Sequence, residues 1–227
     1  MSYHIQSLKL LLVLIMVTLP MGLGSNLSYF ISVAVKKRGI GINLIGMVIS
    51  YTLIILLVWV ADYRNIFFFK NTALYMYIVA PFIGIACILV EYLIGVLVNF
   101  INTGKLVTKI SIHSSYANED KIRIFDVVMV ILFVIVEEVI FRQILINMLQ
   151  VNFNISQTTI VLVCPIVFAI NHISFGVFAI PQKIVSGLIF TLIYILAGYS
   201  ILIPTIAHVT QNLLLLFASR VRVGELK

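Results

Sequence analysis

Three charged residues, Glu137, Glu138 and Arg142, lie inside one apolar stretch that runs through residues 124–149. They are about a dozen residues from either end of it, which at ~1.5 Å per residue places them near the middle of a bilayer. A charge at that depth costs roughly 2.5 kcal/mol or more unless it is paired, hydrated or used. The sequence therefore predicts a polar site, for catalysis or for transport, inside a membrane.

The spacing of these residues separates the roles of the two glutamates. Glu138 and Arg142 are four positions apart, so in a helix their side chains share a face and can neutralise each other. Glu137 is turned about 100° away from that face, and its own neighbour one turn on is Phe141. An acid with no charged partner in its own helix is suited to act as a general base on water. The alternative is a structural clasp in which all three charges hold neighbouring helices together.

Histidines occur in two later apolar stretches. His172 follows Phe168 by four positions. Asn212 follows His208 at the same spacing, which places these two on one helix face. A single histidine in a membrane helix is more often a hydrogen-bond partner between helices than a catalyst. If successive spans cross the bilayer in opposite directions, however, the positions of both histidines along their spans place them near the depth of Glu137. Three helices can thus bring a glutamate, two histidines and an asparagine to one internal site.

These patterns resemble the signatures of the CPBP intramembrane proteases, the CAAX-protease and bacteriocin-processing family, which is also called the Abi family. Residues 137–142 read EEVIFR and match EExxxR, residues 168–172 read FAINH and match FxxxH, and residues 208–212 read HVTQN and match HxxxN. The three motifs occur in the family's order, each within an apolar stretch. The resemblance covers residues 126–218 and weakens the case for a purely structural clasp.

The resemblance implies hydrolysis of a peptide bond inside the membrane, as in the type II CAAX prenyl endopeptidases. Glu137 would deprotonate a water molecule with the help of His172, and the hydroxide would attack a carbonyl group of the substrate. His208 and Asn212 would hold the oxyanion, for which a well-placed donor contributes ~3–4 kcal/mol. The residues expected to support this geometry are Glu138, Arg142 and Phe168.

A metal ion is a second possibility for this site. Glu137, His172 and His208 are the residue types of a three-ligand zinc site that leaves one position open for water. The chain lacks the HExxH spacing of the commonest zinc proteases. The family has been described both as metalloproteases and as glutamate proteases that need no metal. The resemblance therefore favours the label metalloprotease but leaves zinc and a metal-free mechanism both open.

The resemblance also implies a substrate, which would be a membrane-associated or secreted peptide or a membrane protein. Prenylated CAAX proteins are eukaryotic, whereas this chain resembles the small bacterial members, which are associated with bacteriocin self-immunity or peptide processing. Two other functions stay open, namely a catalytically silent immunity or scaffold protein and a transporter. A transporter would explain Glu91, a further acid in an apolar stretch, but the interrupted segment pairs of many transporters are missing from the sequence.

Composition predicts the elements that position these residues. The chain has 227 residues, of which 62% are hydrophobic and 10% charged, and its mean hydropathy is +1.18. Soluble domains have about 25% charged residues, so we expect an all-α, polytopic membrane protein with one integral membrane domain over residues 1–227. Cys87 and Cys164 lie in apolar stretches and are expected to be buried without a disulfide. The candidate transmembrane segments are Leu10–Val35, Ile42–Ala61, Leu74–Asn99, Asp126–Leu149, Thr158–Val177, Ile184–Gly198 and Ile201–Ala218.

The lysines and arginines predict the orientation of these segments. The stretches before, between and after the segments lie alternately on the two sides of the membrane. Those on one side contain only Lys9, Arg64 and Lys70, while those on the other side contain eleven of the 15 basic residues. Basic connections favour the cytoplasmic side. The net charge of +7 thus reflects topology and not nucleic-acid binding, and we expect the N-terminus outside and the C-terminus in the cytoplasm. The first segment is expected to be an uncleaved helix kinked at Pro20, with a cleaved secretory signal as the alternative. Loop 101–123 would face the cytoplasm.

Overall fold

The computed structural model describes residues 2–36, 40–61, 67, 69–105 and 122–221, and in these residues the backbone forms helices and short connections without a β-strand. The predicted all-α class is therefore confirmed. Most of the loop predicted at residues 101–123 lies outside the described residues, as does the basic C-terminus at residues 222–227.

The described residues contain nine α-helices. Their bounds are Ser2–Thr18 (α1), Pro20–Val35 (α2), Ile40–Val60 (α3), Leu74–Thr103 (α4), Ile124–Glu138 (α5), Leu145–Val151 (α6), Gln157–Asn171 (α7), Ile180–Leu196 (α8) and Leu202–Val221 (α9). A π-helical turn, Val139–Ile144, joins α5 to α6. Two 3₁₀ turns, Ile173–Phe175 and Val177–Ala179, join α7 to α8.

Two helical segments are long and apolar enough to cross a membrane, namely Ile42–Val60 of α3 and the whole of α4. The pair α1 and α2 makes a third span if it is taken as one segment bent by 61°. The apolar helices α7, α8 and α9 are shorter. These helices fit a polytopic membrane protein, while the count of seven spans stays a prediction.

The bend between α1 and α2 falls at Pro20, where the sequence predicts a kink. Pro20 is the first residue of α2. A proline in that position lacks the N–H that would have continued the preceding helix, and its fixed φ suits the start of a new one. The predicted kink is confirmed. That the first segment is retained uncleaved stays a prediction.

The helix that carries the two glutamates is surrounded by other helices. α5, the π turn and α6 follow one another without a break, and from residue 137 to residue 148 every side chain except Val139 is buried. A helix that is buried on all sides requires neighbours on all sides, and here α1, α3 and α9 pack against it. This composite helix corresponds to the predicted segment Asp126–Leu149.

Two of the predicted segment boundaries are wrong. α7 ends at Asn171, well before Val177, and α8 begins at Ile180, before the predicted start at Ile184. The residues between them are apolar enough to read as helix, but Gly176 adopts a φ of 100° between the two 3₁₀ turns and interrupts it. As a result, His172 caps α7 and does not lie within it, and Lys183 belongs to α8 and not to a loop.

Small residues allow the helices to approach each other closely. Gly46 of α3 faces Ser28 of α2, and Gly84 of α4 faces the backbone of Ala207 in α9, so that a Cβ on either glycine would overlap its neighbour. Ser28 also donates a hydrogen bond from Oγ to the carbonyl oxygen of Asn43. Because lipid tails are as apolar as side chains, helices in a membrane associate through such close packing and hydrogen bonds.

Apolar side chains cover the outer faces of the helices. On α4, Leu74, Phe82 and Leu89 are each more than half exposed. On a soluble protein such a face would mark an interface, whereas here it fits contact with lipid. Cys87 and Cys164 are both buried and make no disulfide, as predicted.

Candidate active site

Glu137 is the point at which three helices meet. Its side chain is 1% exposed. The Oε1 atom lies 3.3 Å from Nε2 of His172, which caps α7, and the Oε2 atom lies 3.8 Å from Nε2 of His208, in the second turn of α9. Glu137 thus lacks a charged partner in its own helix, as the spacing indicates, but it gains two imidazoles from other helices.

Glu138 has two different partners. Its Oε2 atom lies 3.3 Å from Nε of Arg142, as the spacing predicts, and its Oε1 atom lies 2.7 Å from Nδ1 of His208. Both Glu138 and Arg142 are completely buried. A carboxylate at Nδ1 fixes the orientation of an imidazole ring and determines which nitrogen remains for other contacts. Glu138 therefore holds Nε2 of His208 toward Glu137, while Arg142 balances the charge of Glu138.

A π turn begins directly after the two glutamates and carries Arg142. In it the N–H of Leu145 bonds to the carbonyl oxygen of Ile140, five residues earlier. Such turns occur mostly as single interruptions of α-helices and are frequent at functional sites. The sequence pattern assumes a regular helix and does not predict this turn. The pairing of Glu138 with Arg142 is nevertheless formed, because residues four apart remain on neighbouring faces in both helix types.

The end of α7 fixes the ring of His172. Its Nδ1 atom lies 2.8 Å from the carbonyl oxygen of Phe168, one turn earlier. Because a carbonyl oxygen only accepts hydrogen bonds, Nδ1 carries a proton and Nε2 is the nitrogen presented to Glu137. Nε2 of His172 therefore faces Oε1 of Glu137 across 3.3 Å.

Two phenylalanines pack the charged groups of the site. The ring of Phe168 lies 4.4 Å from the ring of His172, and the guanidinium carbon of Arg142 lies 4.8 Å from the centre of the same phenyl ring. The ring of Phe190, from α8, stacks on His208 at 4.8 Å with 29° between the planes. Aromatic faces attract cations and hold neighbouring rings in place. Phe168 belongs to a motif, whereas Phe190 is missed by sequence reasoning because it is one of many apolar residues in its segment.

Asn212 lies one turn after His208 on the same helix. Its side chain is of intermediate exposure, and no residue in the described part of the chain hydrogen-bonds to it. A side-chain amide offers two N–H donors. Asn212 is therefore placed one turn from the histidine, with its amide donors on the same helix face.

Asn171 ties the site to the N-terminal bend. Its Nδ2 atom donates to the carbonyl oxygens of Thr18 and Val167, and its Oδ1 atom accepts from the backbone N–H of Met21 at 3.5 Å. Thr18 ends α1 and Met21 lies in the first turn of α2, so one amide satisfies a backbone group on each side of the bend. Unsatisfied backbone groups in hydrocarbon cost several kcal/mol each. The bend is thus held against the helix that presents His172.

Glu91, the acid that the motifs do not use, is paired elsewhere. Its Oε1 atom lies 2.9 Å from Nζ of Lys183, and its backbone carbonyl accepts a hydrogen bond from Nε2 of Gln182 at 2.8 Å. These contacts join α4 to α8. Glu91 therefore has a structural explanation as one half of an ion pair between helices.

No group of three or more His, Cys, Asp or Glu side chains is arranged to hold a metal ion in the part of the chain that the structure describes. Glu137, His172 and His208 have the donor atoms of a zinc site, but here the two imidazoles contact the glutamate directly. Zinc therefore stays a prediction, and nothing in the geometry of the site depends on it.

Comparison with known proteins agrees with the resemblance drawn from the motifs. Residues 121–214 match the sequence model of a family described as type II CAAX prenyl endopeptidase Rce1-like. All three motifs fall inside this range, which is less than half of the chain and leaves α1 to α4 outside. A search of curated proteins and a search of solved structures each found no match. Residues 121–214 of this chain are therefore similar to the Rce1-like type II CAAX prenyl endopeptidases.

Proposed function

We propose that this protein is an intramembrane endopeptidase in which Glu137 activates the attacking water molecule. The observation that carries the proposal is the convergence of Glu137, His172 and His208, from three helices, on one buried position. The family match supports an endopeptidase. The mechanism below is derived from the contacts of these side chains.

In the proposed reaction a water molecule binds beside Glu137. The carboxylate removes one proton from it, and the water oxygen forms a bond to the carbonyl carbon of the substrate. Nε2 of His172, which faces Glu137, accepts a hydrogen bond from the same water and orients it. When the C–N bond breaks, the proton held by Glu137 passes to the nitrogen of the leaving amine.

Donors are also needed for the oxygen that becomes negatively charged. Nδ1 of His208 lies 2.7 Å from Glu138, whereas Nε2 lies 3.8 Å from Glu137, so Nε2 is directed toward the reacting position. Arg142 balances the charge of Glu138. We expect Nε2–H of His208 and the amide of Asn212 to donate to the oxyanion, at roughly 3–4 kcal/mol for a well-placed donor.

The proposed substrate is a membrane-associated or secreted peptide, and the proposed role is bacteriocin self-immunity or peptide processing in a bacterial cell membrane. The distribution of lysine and arginine supports an orientation with the N-terminus outside and the C-terminus in the cytoplasm.

A catalytically silent immunity or scaffold protein is the alternative, because it would keep the same buried contacts. The pairing of Glu91 with Lys183 removes the feature of the sequence that most favoured a transporter.

The test is a mass-spectrometric comparison of protein termini in cells that express the wild-type chain, Glu137→Gln or Glu91→Gln at matched membrane levels. Glutamine is nearly isosteric with glutamate but is not a base, and Glu91 is the matched, partly buried acid outside the site. We expect new termini with the wild-type chain and with Glu91→Gln, and none with Glu137→Gln. If no terminus differs while all three chains confer the same phenotype, the silent scaffold is the better description.

A chelator separates the proposed mechanism from the metalloprotease alternative. The steps above use only side chains and water, so we expect the cleavage rate to be unchanged after treatment with EDTA. Metal content is measured in parallel on the purified protein and on His172→Ala. Loss of cleavage that zinc restores, with zinc bound at unit stoichiometry only in the wild-type chain, would reassign Glu137, His172 and His208 as metal ligands.

A further inference from the structure

Tyr51 is a buried polar residue that no motif includes. It lies at the middle of α3, outside the range that matches the family, and its side chain is completely buried. No described residue hydrogen-bonds to its hydroxyl group. A buried hydroxyl without a partner is destabilising, so its presence calls for an explanation.

The position of Tyr51 points to the active site. Its ring packs against Phe133 of α5 with the ring centres 5.4 Å apart. Phe133 precedes Glu137 by four residues in the same helix, so the two side chains lie on one face. α3 also packs against the π turn that follows the glutamates.

The depth of Tyr51 is also unusual for a tyrosine. In membrane proteins tyrosine is enriched at the two interfaces, where its hydroxyl group reaches water. Tyr51 instead lies at the middle of a helix that is long enough to cross the bilayer, next to Ser50 and Thr52 and between two apolar runs. This placement provides a hydrogen-bond donor at the level of Glu137, and no internal group of the described chain uses it.

We propose that Tyr51 is a catalytic residue whose phenol hydroxyl donates a hydrogen bond to the carbonyl oxygen of the substrate as that oxygen becomes negatively charged. This inference rests on the proposed function. It adds a donor from α3 to those from α9, so that the oxyanion would be held from two helices. A donor that is fixed before the reaction and aimed at developing charge loses little in reorganisation.

The test compares Tyr51→Phe with Tyr194→Phe in purified protein. Tyr194 is an equally buried tyrosine, but its hydroxyl donates to Oδ1 of Asn147 at 3.3 Å. The probe is a fluorogenic peptide that spans a cleavage site found in the comparison of termini. We expect Tyr51→Phe to lower kcat about 10²-fold, with KM within about twofold, and to leave the melting temperature unchanged or raised, because it removes an unpartnered hydroxyl. Tyr194→Phe should do the reverse, with a lower melting temperature and an unchanged kcat.

A second readout keeps the test independent of packing. Incorporation of 3,5-difluorotyrosine at position 51 preserves the size of the ring but makes the hydroxyl a stronger acid, so we expect it to change kcat and to move the pH profile of kcat toward lower pH. Wild-type kcat in Tyr51→Phe, or an unchanged profile with the fluorinated residue, would overturn the role of Tyr51 alone. Absence of cleavage by the wild-type chain would overturn the proposed function and this role with it.

Discussion

The carboxylate of Glu91 and the carboxylates of Glu137 and Glu138 lie in two regions of the protein that are built differently. Glu91 meets Lys183 at 2.9 Å, and the two side chains are 12% and 21% exposed. Glu137 and Glu138 are almost completely buried and share two histidines and one arginine at distances from 2.7 to 3.8 Å. The first place is one acid with one base, at the surface between α4 and α8. The second is a network drawn from α5, the π turn, α7 and α9.

The two regions differ in how completely their polar atoms are paired. In the α4–α8 pair each charge is neutralised by the other, so no polar group remains for a ligand. In the network, the two terminal nitrogens of Arg142 and the hydroxyl of Tyr51 have no hydrogen-bond partner within the described residues. A buried site whose polar atoms are only partly paired is suited to bind a polar group from outside, such as the peptide unit of a substrate.

The largest effect should come from breaking the network at Arg142. Removing one partner of a fully buried pair leaves an uncompensated charge and typically costs 3–5 kcal/mol. We therefore expect Arg142→Met to lower the melting temperature and the membrane abundance sharply. The double variant Glu138→Gln with Arg142→Met removes both charges and should recover most of the stability without recovering cleavage. If the double variant is as unstable as the single one, loss of the pairing between Glu138 and Arg142 does not explain the lower stability of Arg142→Met.

A smaller effect, on rate and not on stability, is expected when a carboxylate is kept but moved. Glu137→Asp retracts the carboxylate by one methylene from His172 and His208, and a misplacement of ~1 Å can cost about 10²-fold in rate. Glu91→Asp makes the same change in the α4–α8 pair. We expect the first variant to lose cleavage by about that factor and the second to stay within about twofold of the wild-type rate, with the same peptide probe. Equal losses would mean that the cleavage rate depends on the position of the Glu91 carboxylate as strongly as on that of Glu137.

The smallest effect is expected from removing the α4–α8 pair. Because both side chains are partly exposed, the double variant Glu91→Gln with Lys183→Met should change the free energy of unfolding by about 1 kcal/mol or less. Thermal unfolding in detergent measures this change, and the cleavage rate should not follow it. A loss of cleavage without a loss of stability would connect this pair to the active site.

Much of the candidate site can be predicted from the sequence because its parts are local. The pairing of Glu138 with Arg142 depends on a spacing of four within one helix, and it forms at 3.3 Å even though a π turn replaces the regular helix. The kink at Pro20 depends on one residue type. The end of α7 is harder to predict, because residues 173–179 are apolar and only the backbone of Gly176 reveals that they are not one helix.

The sequence by itself determined that this is an all-α membrane protein with acids, histidines and an asparagine placed in three ordered motifs. These features follow from composition and from spacing within single helices, which the local chain fixes. Only the tertiary structure decided that Glu137 meets two imidazoles, that Glu91 pairs with Lys183, and that α3 packs Tyr51 against Phe133. Partners far apart in sequence are set by how helices pack, and apolar periodicity carries little information about packing because every face of a membrane helix is apolar.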